Sequence, residues 1–377
     1  MQQPLVALDV GSTKVACAIG LPHDGVPGFE LLGSSVVAYP AASEAWLGDP
    51  LMVSRTIEQA LEATAVSVDF HRALVAIDPP ALTSEQAQAA VTLGDEPMTV
   101  RSKDLDRLQR TVLDHTLGID REPLVVERLG CTGNGFEMVR DPRGRSATRL
   151  TGLFHIVAMP MACRRAVVQA VESVGLEVAS LTYTLPAALA STADEPLARQ
   201  RVLMIDIGGL RTDIGLFVDG LLTASETIPW GGLKLAARIA SELHVTIDQA
   251  LTWSLEGVAC RKREVRSLVT QHWELIQQAI GNVLKEQPRP DAVLLGGRGS
   301  LIDGFAEWVE RTTQIPTTLC RSPRTSQMSD LARQVALSPA IGLLELSTRD
   351  ARGASPRSPR VFNRLIDRTR TILTEYF

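Results

Sequence analysis

Two stretches of the chain end an apolar run in an aspartate and place a glycine two residues later. The first is Leu5-Val-Ala-Leu-Asp-Val-Gly-Ser-Thr-Lys-Val-Ala-Cys-Ala-Ile-Gly20; the second is Val202-Leu-Met-Ile-Asp-Ile-Gly-Gly-Leu-Arg-Thr-Asp-Ile-Gly-Leu-Phe217. Glycines in such a turn take backbone angles that a Cβ forbids and leave N–H groups free to face an anion. An aspartate at the strand end can hold hydrated Mg²⁺, which takes oxygen ligands and keeps several waters. Laid over one another, Asp9 falls on Asp206, Gly11 on Gly208, Ser12 on Gly209, Lys14 on Arg211 and Ile19 on Leu216. Two unrelated hairpins that need glycine for turning are the plainer alternative. A register kept over a dozen positions favours two similar half-domains, with one nucleotide phosphate tail clamped between their turns.

Positioning these residues requires a strand, a tight turn and a second strand at each site. A third glycine turn follows later. The apolar strand Asp291–Leu295 runs into Gly296-Gly297-Arg298-Gly299-Ser300, and Leu301–Thr312 reads as a helix. Strand, glycines and helix bring backbone to a ligand at a helix N-terminus. The spacing of Gly297, Gly299 and Gly304 is a poor dinucleotide fingerprint alone, since it comes late and after two hairpins.

With 377 residues the chain is long for one core and predicts two or more domains. A net charge of −5 argues against broad nucleic-acid binding, which needs a basic face. The five cysteines are scattered without a C-x-x-C pair, as expected of free thiols in a reducing compartment. Met1-Gln-Gln-Pro leads straight into a strand, so no signal peptide is expected. No run is long and apolar enough to span a bilayer; Val178–Ala193 is broken by Ser, Thr, Tyr and Pro186. The six histidines show no metal spacing. A cytoplasmic body is expected.

Leu51–Val66 has helical spacing, and Ala73–Ile77 is a short strand before Pro79-Pro80. From about Leu82 the texture changes to strand pieces at Ala89–Leu93 and Pro97–Val100. A helix follows at Ser102–Leu117, with Ser102 placed to cap it, then strands at Leu124–Leu129, Phe136–Met138 and Leu153–Met159. This reads as an α+β insert in the first half. Met161–Val174 is a helix closed by Gly175, Val178–Tyr183 a strand, and Pro186–Thr192 the start of a helix facing the next domain. Leu221–Ile228 is a strand, Trp230-Gly231-Gly232 turns into the helix Leu233–Leu243, and the chain stays helical to Gln287. Ser338–Glu345 is the last helix of the body.

This set of motifs resembles the actin/Hsp70/sugar-kinase superfamily. Asp9–Lys14 is similar to its first phosphate loop, Asp206–Asp213 to its second and Leu294–Gly299 to its adenosine loop. Pro186–Ser191 and Pro339–Leu346 are similar to its two connecting helices. Within the superfamily the chain resembles the FtsA family. Asp9-Val-Gly-Ser-Thr-Lys-Val is similar to that family's Asp-Ile-Gly-Ser-Ser-Lys-Val, as are the insert with Asp141-Pro-Arg-Gly and Phe154-His-Ile-Val, and Thr227-Ile-Pro-Trp-Gly-Gly. The resemblance implies an α/β, actin-like (ribonuclease-H-like) two-domain fold. Its parts would be a first half at 1–81 and 161–193, an inserted subdomain at 82–160, a second half at 194–230 and 291–347, and a helical subdomain at 231–290. It implies ATP and Mg²⁺ as ligands. Asp9 and Asp206 would face the metal, and Gly11, Ser12, Thr13, Lys14, Gly208, Gly209, Arg211, Thr212, Asp213, Gly231, Gly232, Gly296, Gly297 and Arg298 would line the nucleotide.

Beyond the body, 348–360 is rich in Arg, Ser, Ala, Gly and Pro and reads as a flexible linker. From Val361 to Phe377, the residues Phe362, Leu365, Ile366, Ile372, Leu373 and Tyr376 fall on one apolar stripe of a helix about 25 Å long. Arg364, Arg368 and Arg370 flank the stripe. Such a stripe with local positive charge suits an anionic membrane surface, each basic group contributing about 1 kcal/mol; docking on the body is the alternative. FtsA proteins end in a membrane-targeting helix, so Phe362, Arg364, Leu365, Ile366, Arg368, Ile372, Leu373, Tyr376 and Phe377 are its expected contacts. The resemblance further implies an actin-like filament at the cytoplasmic face of the division site. The filament would hold the FtsZ C-terminal peptide through Arg261, Arg263 and His272 and recruit later division proteins through the insert.

The chain also departs from the family pattern. Leu210 and Arg211 stand where the second loop has Gly and Thr, and an arginine there could supply a phosphate contact. Ala250 and Trp253 replace Glu and Lys on the ribose and base side. Between Tyr183 and Ala188 no carboxylate is found to orient a water, so weak or absent ATPase activity is expected. An assembly platform of another envelope machine, such as a type IV pilus motor, is the second reading. A sugar or acetate kinase is the third, although a catalytic acid for it is missing.

Overall fold

The computed structural model describes residues 3–40, 46–79, 81–192, 197, 199–255 and 263–350. Strands β1 (Leu5–Val10), β2 (Lys14–Pro22) and β3 (Phe29–Ala38) form an antiparallel meander. Helix α1 (Pro50–Glu62) follows, its first turn closed by Asp49 Oδ1, which accepts the Met52 N–H at 3.0 Å. Strand β4 (Arg72–Ile77) then runs parallel to β1.

The insert leaves from β4. It comprises β5 (Thr83–Thr92), β6 (Met98–Thr99), α2 (Ser102–Thr116), β7 (Arg121–Gly133), β8 (Phe136–Val139), β9 (Ser146–Ala147) and β10 (Arg149–Pro160). Its main sheet has the order β5-β10-β7-β8, and Leu105, Leu108 and Val112 of α2 share a core with Phe154 and Ile156. Ser102 is the first helical residue rather than the cap; Asp104 Oδ2 instead accepts the Arg101 N–H at 2.9 Å. The chain returns through α3 (Met161–Glu172), β11 (Glu177–Tyr183) and α4 (Thr184–Thr192).

The second half repeats the plan. Strands β12 (Arg201–Ile207), β13 (Thr212–Val218) and β14 (Leu221–Ile228) form a meander. Helices α5 (Gly232–Leu243), α6 (Ile247–Leu255) and α7 (Arg263–Leu284) follow. Then come β15 (Ala292–Gly296), α8 (Phe305–Thr313), β16 (Thr317–Leu319) and α9 (Leu331–Asp350). The two sheets read β3-β2-β1-β4-β11 and β14-β13-β12-β15-β16, so central strand, meander and parallel partners correspond one to one.

The alternation of strand side chains gives each sheet an outer and an inner face. Val6, Leu8 and Val10 pack outward with α1 and α3, while Leu203, Ile205 and Ile207 pack outward with α5, α7 and α8. The inner faces exchange helices. Leu185, Ala188 and Leu189 of α4 join Met204, Phe217 and Leu294 of the second sheet. Leu337, Ile341 and Leu344 of α9 lie with Ala7, Ala18 and Ala76 of the first. Residues 331–347, grouped with the second half from sequence, therefore pack on the first. The two helices cross at Gly342, where a Cβ would run into the Ala187 carbonyl oxygen.

The insert leans on the other half. Ser84 Oγ donates to Ser225 O at 2.8 Å, His155 Nε2 lies 2.9 Å from Ser225 Oγ, and Gln86 Nε2 donates to Thr223 O at 2.8 Å. An Arg140–Asp219 ion pair of 3.0 Å adds to this contact. Strand β14 is an edge strand, and the insert covers part of its rim.

Candidate functional site: two aspartate turns in one cleft

The two hairpins coincide in register. Asp9 pairs with Ala16 and Val10 with Val15; Asp206 pairs with Asp213 and Ile207 with Thr212. Each turn closes by the same bond: the Gly11 N–H donates to Lys14 O at 3.0 Å, and the Gly208 N–H to Arg211 O at 2.9 Å. With Val6, Leu8 and Val10 outward, Asp9 falls on the inner face; with Leu203, Ile205 and Ile207 outward, so does Asp206. The turns face each other and touch, since a Cβ on Gly209 would collide with Thr13 Cγ2.

Asp9 is 4% exposed, and Lys14 Nζ lies 2.5 Å from its Oδ2. Asp206 lies under the third glycine loop, where a Cβ on Gly296 would sit 2.7 Å from Asp206 Oδ2. Gly297 has φ +70° and approaches both Ile207 O and Asp206 Oδ1, a backbone state that favours glycine. The Gly232 N–H donates to Gly208 O at 2.9 Å and the Leu233 N–H to Gly209 O at 2.8 Å, so the N-terminus of α5 is fastened to the second turn. Asp213 accepts from Tyr183 Oη at 2.8 Å and Thr227 Oγ1 at 2.5 Å, and Thr212 Oγ1 donates to Trp230 O at 2.8 Å.

Sequence reasoning missed Asp78. It sought an acid after Tyr183, whereas the structure supplies one from the end of β4, which is parallel to β1 and ends at the same edge. Asp78 Oδ1 is buried with no hydrogen-bond partner among the described residues. Burial, and then Asp213, Asp206 and Asp9, hold its carboxyl well above the usual range, while Arg211 opposes this. The signal available was an aspartate directly after a buried strand, two residues past the level of Asp9. Burial followed by Asp213 and Asp9 pushes Asp206 up to about 7, against the pull of Lys14. Four aspartates thus share the cleft with Lys14 and Arg211.

Arg211 is 8% exposed, and its Nη1 donates to Pro79 O across the cleft. It faces Asp78 and Asp213 and lowers both. Arg298 is exposed and lines a separate cavity of ≈ 380 Å³ with Ser35, Asp330 and Arg333, to which neither aspartate turn contributes. Ala250 is fully buried in the second core, with Trp253 packed against it.

Of the expected peptide-binding residues, Arg263 opens α7 and Arg261 lies outside the described residues. His272 corrects the expectation of a basic contact: it is fully buried, and burial pushes it down to about 3, so the ring is neutral. Neither of its ring nitrogens has a partner among the described residues, and the ring stands 5.6 Å from Trp230. Both line a groove of ≈ 300 Å³ with Arg238, Gln271, Glu274 and Leu275. The cation of that groove is Arg238, 5.5 Å over the Trp230 ring. Residues 361–377, the expected membrane contacts, lie outside the described residues. No described helix is long and apolar enough to cross a membrane. Among the described residues no three His, Cys, Asp or Glu side chains converge as a ready-made metal cage.

Residues 81–158 match the family model described as the SHS2 domain inserted in FtsA. The cell division protein FtsA of Pseudomonas aeruginosa is 22% identical over 90% of this chain and 88% of its own length. That of Neisseria meningitidis serogroup B is 25% identical over 92% and 91%. Among solved structures, the PilM–PilN type IV pilus biogenesis complex shares the fold at TM-score 0.67, with 16% identity over 94% of this chain and 99% of that one. MreB 5 of Spiroplasma citri bound to AMPPNP aligns at TM-score 0.50, with 12% identity over 93% and 98%. The family model matched by the insert and the relatives matched along the chain agree: this chain is similar to the FtsA cell division proteins.

Proposed function

We propose that the chain works as an FtsA-type scaffold of cell division. In this reading it binds ATP with Mg²⁺ between its two turns and assembles into an actin-like filament. It ties FtsZ to the cytoplasmic face of the membrane and recruits later division proteins through the insert. The observation that carries the reading is an FtsA-type insert within a duplicated fold whose paired aspartate turns face one another.

The cleft fits the chemistry of Mg²⁺. This ion is held by one or two carboxylates together with substrate phosphates, without a full protein cage. Asp9 and Asp206 supply two carboxylates, and the surplus of acids over Lys14 and Arg211 favours a divalent cation. Bound there, the ion would offset the charge of the phosphates. Backbone N–H groups of Ser12, Thr13 and Gly209, which do not close the hairpins, would hold the phosphates once the turns part. The groove beside Trp230 and Arg238 supports docking of the FtsZ C-terminal peptide, with Arg238 in the role expected of His272. The apolar stripe from Phe362 to Tyr376 and its arginines support the membrane tether.

Co-sedimentation with anionic liposomes tests the tether. The full chain is expected to pellet, and a chain ending at Thr348 to stay in solution. Pull-down with the FtsZ C-terminal peptide tests the partner. A chain that ignores both would overturn the reading and favour a platform of another envelope machine.

A further inference from the structure

We infer that Leu210 and Arg211 form a clasp that holds the two halves closed in the absence of nucleotide. Both residues belong to the second turn, yet both are engaged by the first half. Leu210 is 9% exposed and lies in the same core as Leu8, Val15, Tyr39 and Val167. Leu233, at the start of α5, packs against that core as well. Next to it in sequence, Arg211 donates from Nη1 to Pro79 O at the end of β4, with its charge between Asp78 and Asp213. Gly209 completes the contact by lying against Thr13.

These positions are the ones at which the chain departs from the Gly and Thr of the resembling loop. A glycine there has no side chain to bury across the cleft, and a threonine is too short for the span that the guanidinium crosses. Apolar burial and a charge-assisted hydrogen bond act in the same place, and neither needs a ligand. Where phosphates would bridge two turns, this chain bridges them with its own side chains. Because Pro79 is two residues before the insert begins at Ala81, the same contact fixes the root of the insert. The clasp makes the closed form, and any filament contact that requires it, independent of nucleotide. It holds whichever partner the scaffold meets.

Hydrogen exchange on the purified full chain, stripped of nucleotide and metal by phosphatase and EDTA, tests this. Amides at 8–14 and 205–211 are expected to stay protected in the stripped wild type, within about twofold of protein supplied with Mg²⁺ and AMPPNP. In L210G/R211T, which restores the family pattern, the same amides are expected to exchange about tenfold faster when stripped. R211Q, which keeps Leu210, should fall between the two and guards against a double variant that does not fold. Loss of protection in stripped wild type overturns the clasp, as does equal protection in wild type and both variants.

Discussion

Thr13 and Gly209 lie against each other across the cleft, so closely that a Cβ on the glycine would overlap the threonine methyl. One residue comes from each half, and their contact makes two distant hairpins a single site. G209A is therefore expected to push the turns apart and to lower stability by about 1–3 kcal/mol, the usual cost of overpacking. Chemical denaturation measures the loss, and T13S, which removes the colliding methyl, should recover part of it.

The cleft should give the protein a distinctive pH profile. Asp206 is pushed up to about 7, so between its ordinary value and about 7 the folded state binds more protons than the unfolded one. Stability from this group is complete below the ordinary carboxylate range and declines as pH rises towards about 7. D206N, which cannot ionise, should flatten that decline in denaturation curves collected across the window. Mg²⁺ should flatten it in the wild type as well.

At the crossing of α4 and α9 the backbones meet without room for a methyl group. G342A would drive a Cβ into the Ala187 carbonyl, and main chain yields less readily than a side chain. A loss of about 3 kcal/mol or more is expected, with a lower thermal midpoint. An exchange elsewhere with space around it, G281A in α7, should stabilise by up to about 1 kcal/mol.

Arg238 sits over Trp230 in the groove, while His272 beneath is neutral. R238A is expected to weaken binding of a fluorescent FtsZ C-terminal peptide by about 1 kcal/mol, or roughly fivefold. Anisotropy titration measures this. An affinity unchanged in R238A would place the peptide elsewhere.

The insert is moored to β14 through Ser225, which meets Ser84 and His155. S225A removes a hydroxyl from that half-buried group and should loosen the insert by about 1–2 kcal/mol. Protease cleavage near Gln86 should quicken before any change in global unfolding.

The sequence by itself determined the repeated unit. Apolar runs ending in Asp9 and Asp206, with glycines two residues on, dictate strand, turn and strand from local chemistry, and the alternation of Val6, Leu8 and Val10 already assigns Asp9 to the other face. It also marked the insert, through a change of texture near Leu82. Tertiary structure decided what met across the cleft. Asp78 joined the acids because β4 lies parallel to β1, a relation between strands far apart in the chain. Leu210 and Arg211 read from sequence as a turn with an optional phosphate contact, and became contacts to the first half because the second turn lies against the core of β1, β2 and α3 and the chain just past β4. His272 read as a surface base and became a buried neutral ring, because a helix shows which face is apolar but not which partner covers it. Local patterns carry backbone conformation; the identity of the neighbour depends on long-range packing, which no short window of residues contains.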